Sequence, residues 1–166
     1  MVTNITQRMR SLLETIDYDF ERFSLPSFCL WLEEITGKQL LFKAAELPLK
    51  IFGAWITSPS HDLVIYQKNT NPLHRQHIIL HELCHILCGH QTVQITDQEL
   101  LKLVPLPQTV PKVLCRSADP DLMQQQDQEV ELLVELIVQK RLSTDARQRL
   151  SRRLEQIPER LRILGE

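Results

Sequence analysis

Residues 78–87 read IILHELCHIL, two histidines and a glutamate set into an otherwise apolar run. Ile78, Ile79, Leu80, Leu83, Ile86 and Leu87 surround them, so a helix here is expected to be largely buried. Polar side chains in such surroundings need partners. Residues four apart on a helix lie about 6 Å apart on one face. His81 and His85 can therefore grip one zinc ion at Zn–N distances of about 2.0–2.1 Å. Glu82 is rotated by about 100° from His81. That suits it to a water activated at the ion, as general base, rather than to the ion itself. The competing reading is a buried helix whose His and Glu are satisfied by ordinary hydrogen bonds.

Other donors share this helix. A Cys₂His₂ site built from residues 81–88 alone would stretch over about 10 Å of axis, too far for one ion. Cys84 and Cys88 therefore read as small buried hydrophobes. His74 and His77 read as surface residues or as outer partners of the site.

A catalytic zinc takes three protein ligands, and the helical pattern DQEVELLVELIVQKR at 127–141 is the best source of the third. On a helical wheel Glu129 falls inside the apolar arc of Val130, Leu133, Val134 and Ile137. Glu131 and Glu135 fall about 200° and 240° from Glu129, on the outer face, and Asp127 sits at a margin. An inward carboxylate wants a cation: the ion held by His81 and His85, or else a buried Arg or a helix end. Glu129 is thus the expected third ligand. His90 competes, but a helix that stops at Gly89 turns the chain away from the metal.

With HELCH followed by the inward Glu of QEVELLVELIV, the chain resembles the ImmA/IrrE family of zinc metallopeptidases. The stretch LHRQHIILHELCHILCGHQ is similar to the family as well, including His90 after the motif. Glu129 takes the Glu position of the family's second helix signature, Val130 and Val134 its Ala positions, and Leu133 its bulky apolar one. Cys84 stands where the family has Gly, and Val130 departs from Ala; neither change removes a ligand. The resemblance spans about residues 38–140. It implies a zincin-like α+β fold and a regulatory endopeptidase whose substrate is a separate helix-turn-helix repressor or antitoxin. Some relatives are toxins of toxin–antitoxin pairs. The alternative is a zinc-binding interaction module that sequesters such a partner without proteolysis.

The surrounding sequence predicts one domain of 166 residues. Helices are expected at about Asn4–Ile16 and Pro26–Ile35. Strands are expected at Gln39–Lys43, Ile51–Thr57 and Leu63–Tyr66, forming a small antiparallel sheet packed against the HExxH helix. That helix should run from about Leu73 to Cys88. Short helices and loops fill the proline-bearing stretch 91–120. Helices at Asp121–Arg141 and Thr144–Gln156, and a short piece after Pro158, close the chain.

The chain is 43% apolar and 24% charged, with a net charge of −2, so nothing global points to nucleic acid. Residues 140–166 carry eight basic and four acidic side chains, which reads as a solvated helix face. No apolar run reaches the ~18–20 residues of a membrane span, and the N-terminus lacks a signal-peptide core. Cys29, Cys84, Cys88 and Cys115 form no disulfide framework. A cytoplasmic location is expected. Tyr66, His61, His90 and Arg116 are unranked candidates for stabilising an oxyanion.

Overall fold

The computed structural model describes residues 2–105 and 120–163. Two helices lead: α1 (Val2–Thr15) and, after a 3-10 turn at Phe20–Arg22, α2 (Leu25–Thr36). Ser24 caps α2 by accepting the Ser27 backbone N–H, and Gly37 ends it at φ +68°. Then come β1 (Gln39–Ala45), β2 (Gly53–Thr57), β3 (His61–Gln67), α3 (Pro72–Cys88), β4 (Val93–Gln94), α4 (Asp97–Leu103) and α5 (Pro120–Ile163).

The chain is α+β, with a four-stranded mixed sheet in the order β1-β3-β2-β4. This corrects the expected antiparallel sheet of about three strands. β2 pairs antiparallel with β3 through the Thr57–His61 connection, but β1 runs parallel to β3, and β4 parallel to β2. The reason lies in β3: Asp62, Leu63, Val64 and Ile65 are all buried. A strand buried on both faces belongs at the centre of a sheet, so β3 inserts between its two predecessors.

Successive β3 residues feed two cores. Val64 joins Leu80, Leu83, Cys84, Val130 and Leu133 in the larger one, where α3 and α5 pack with α1 and α2. Phe28, fully buried, contacts the rings of Tyr18, Phe20, Phe23 and Trp31 in the same core. Leu63 and Ile65 point the other way, toward Ile56 and Leu100.

The closing helices are one, not three, because α5 runs unbroken for 44 residues. The Ser143 hydroxyl, just before the expected start at Thr144, donates back to the Gln139 carbonyl, four residues earlier. In that role serine continues a helix instead of starting one. Of the stretch 91–120, expected to hold short helices and loops, residues 106–119 lie outside the described residues.

Candidate metal centre

Helix α3 starts at Asn71, whose side chain accepts the His74 N–H, and Pro72 supplies its preset φ. It ends at Gly89, in the left-handed region at φ +65°. Between these ends the apolar face enters the larger core and leaves His81 and His85 at the rim of a cleft. That cleft, about 540 Å³, is bounded by β2, α3 and α5.

His81 Nε2 and His85 Nε2 lie 3.1 Å apart. Asp127 Oδ1, from α5, lies 3.2 Å from His85 Nε2 and 3.7 Å from His81 Nε2. Four ligands held tetrahedrally at about 2.0–2.1 Å from a zinc ion stand about 3.3 Å from one another, so the spacing fits. These three residues could hold a metal ion.

The outer contacts sharpen this. His81 Nδ1 lies 2.7 Å from Glu131 Oε1 and His90 Nε2 lies 3.1 Å from Glu129 Oε2. A carboxylate accepts only, so both nitrogens carry hydrogen. In the neutral ring that leaves His90 Nδ1 as an acceptor, 2.9 Å from His85 Nδ1, which must then be the donor. With both Nδ1 atoms protonated, the Nε2 lone pairs of His81 and His85 converge with the Asp127 carboxylate. Three acceptors that close repel unless a cation sits among them.

Glu129 is thus placed behind the histidines rather than beside them. Besides His90 it accepts Arg8 Nη1 of α1 at 3.0 Å and Gln125 Nε2 at 3.4 Å. Its side chain is 6% exposed, against 50% for Asp127. The physical reason is that the histidines sit at the rim of the core, so the margin of the α5 apolar face meets them, not its middle. Sequence reasoning put Asp127 at that margin, and the signal that would have promoted it is that a cleft-side ligand belongs at an amphipathic boundary.

Glu82 is buried with its carboxyl at the cleft wall. Burial pushes its pKa above the usual carboxylate value, against the opposing pull of His81 and His85. The described residues offer this carboxylate no hydrogen bond. It fits only because residue 53 is glycine: a Cβ there would stand 2.6 Å from Glu82 Oε1 and 2.8 Å from Ile78 Cγ2.

Cys84 is fully buried within the larger core, where burial pushes its pKa far up. Burial likewise pushes Cys88 up to about 11. Both behave as hydrophobes. His77 Nε2 lies 3.5 Å from Glu131 Oε1, outside the converging trio, and the His74 ring lies tilted against Phe52. Of the oxyanion candidates, Tyr66 packs under Arg75, His61 meets Asp97 and His90 stands behind His85. None of these three lines the cleft; Arg116 lies outside the described residues.

No protein-family model, curated protein or solved structure matches this chain. Among the described residues, no helix is long and apolar enough to cross a membrane.

Proposed function

We infer that the protein is a zinc-dependent endopeptidase with a zincin-like fold, of the ImmA/IrrE kind. The carrying observation is the convergence of His81 Nε2, His85 Nε2 and Asp127 Oδ1 at tetrahedral spacing beside a buried glutamate with no hydrogen-bond partner among the described residues. Zinc bound there would supply Lewis acidity, making water more acidic and a peptide carbonyl more electrophilic.

The chain's own groups do the remainder. Glu82 takes a proton from the attacking water and returns it to the leaving amine, and its raised pKa brings it nearer to the neutral range in which such transfer is efficient. Glu131 orients the His81 ring through Nδ1. An extended peptide finds its place along β2. There β4 covers only Ile56 and Thr57, so Gly53 and Ala54 at the cleft have no strand partner on that side among the described residues. Main-chain hydrogen bonds to such an edge hold a peptide with little regard to its sequence. By the resemblance, the substrate is a separate helix-turn-helix repressor or antitoxin, and the location is cytoplasmic.

The test is Glu82→Gln. Zinc-loaded wild type should cut a co-encoded repressor; the variant should bind zinc as before but lose about 10²–10⁴-fold in rate. Repressor left intact by the wild type, yet bound by both proteins, would support the sequestering module instead.

A further inference from the structure

Behind His85 runs a hydrogen-bonded chain that the hydrolytic mechanism does not use. Arg8 Nη1 donates to Glu129 Oε1 at 3.0 Å, Glu129 Oε2 accepts from His90 Nε2 at 3.1 Å, and His90 Nδ1 meets His85 Nδ1 at 2.9 Å. The inner members are sheltered: the side chains of Glu129 and His90 are 6% and 8% exposed. Arg8, at 52%, closes the outer end from α1.

We propose that His90 and Glu129 are positioning residues, clamped by Arg8, that hold the His85 ring with Nε2 turned toward the metal and Nδ1 protonated. The inference rests on the metal reading above. With the His90 ring neutral, the chain permits one proton arrangement. Glu129 can only accept, so His90 donates through Nε2; His90 Nδ1 then accepts, so His85 donates through Nδ1 and keeps its Nε2 lone pair free. His81 gets the same service from Glu131 in a single step. His85 gets it in two, because Gly89 turns the chain so that His90 folds back against the last turn of α3. Its backbone N–H meets the His85 carbonyl at 3.1 Å. The consequence is that α1, whose apolar face joins the larger core through Met9 and Leu13, also takes part in setting the metal site.

Chelator competition with Zn²⁺ and the visible spectrum of the Co²⁺-loaded protein test this without any substrate. His90→Phe keeps a flat aromatic ring, somewhat larger than imidazole, and removes both nitrogens; it should weaken zinc about 10–100-fold and shift the cobalt bands. Arg8→Met, at the half-exposed end where folding is least at risk, should weaken zinc in the same direction by less, and Arg8→Lys should restore most of the loss. Wild-type zinc affinity and an unchanged cobalt spectrum in His90→Phe and Arg8→Met would overturn the proposal. So would loss of all binding in Glu129→Gln with Asp127→Asn unaffected, since Glu129 would then be a ligand. A wild type that binds no zinc sinks the metal reading as well. A wild type that binds zinc but cuts nothing sinks only the peptidase.

Discussion

Gly53 faces Glu82 so closely that the absence of a side chain is a condition of the site. Adding one methyl group puts carbon 2.6 Å from Glu82 Oε1 and 2.8 Å from Ile78 Cγ2, on a helix whose apolar face is packed into the larger core. Gly53→Ala should therefore cost about 1–3 kcal/mol in urea unfolding and push the Glu82 carboxylate off its position. Turnover should fall by more than the lost stability accounts for; wild-type turnover would mean that Glu82 works from elsewhere. At this scale the sequence was half legible. His81, Glu82 and His85 could be placed because helical geometry alone sets their relation. The helical wheel favours Glu129 over Asp127, because it ranks positions only by their place in the apolar arc of α5. Only the depth of α3 in the core decides which of them meets the cleft. The Arg8 partner of Glu129 lies 121 residues away, and no local pattern announces such a contact.

Between elements, the clearest device is the first turn of α4, which clasps the β2–β3 connection. Asp97 Oδ1 accepts from the Ser58 hydroxyl at 2.7 Å and the Ser60 backbone N–H at 2.9 Å. These bonds, Ser58 first, hold its carboxyl well below the usual range. A pKa depressed on folding contributes stability above the unfolded value, about 3.9, and loses it as pH falls from there toward the folded value. Asp97→Asn should thus lower the urea midpoint at pH 7, and the gap from wild type should narrow at pH 3. A gap that widens in acid would contradict this assignment. An element end was legible where capping chemistry marks it, at Gly89 after α3. Strand order was not, since pairing partners depend on which strand is buried on both faces, and β3 revealed that only through its run of apolar neighbours.

At the scale of the whole molecule, the described residues form two apolar clusters on opposite sides of the sheet, and neither includes the candidate ligands His81, His85 and Asp127. A chain so built should stay folded with no ion at that site. Removing zinc with a chelator should leave the far-ultraviolet spectrum intact. Adding zinc at about 100 times its dissociation constant should stabilise the fold by roughly 2.7 kcal/mol, a rise in Tm of about 5–11 °C. Collapse of the fold on chelation would instead mark a structural zinc domain.

Helix α5 has a bearing on shape. Its 44 residues rise about 1.5 Å each, giving a rod of about 66 Å. A sphere-like chain of 166 residues has a radius of gyration near 15 Å, hence a diameter of roughly 40 Å. The rod outruns the globule. In solution scattering the monomer should exceed 15 Å in radius of gyration, and on a sizing column it should emerge ahead of compact standards of equal mass. An early peak would then report elongation, and only light scattering could distinguish it from a dimer.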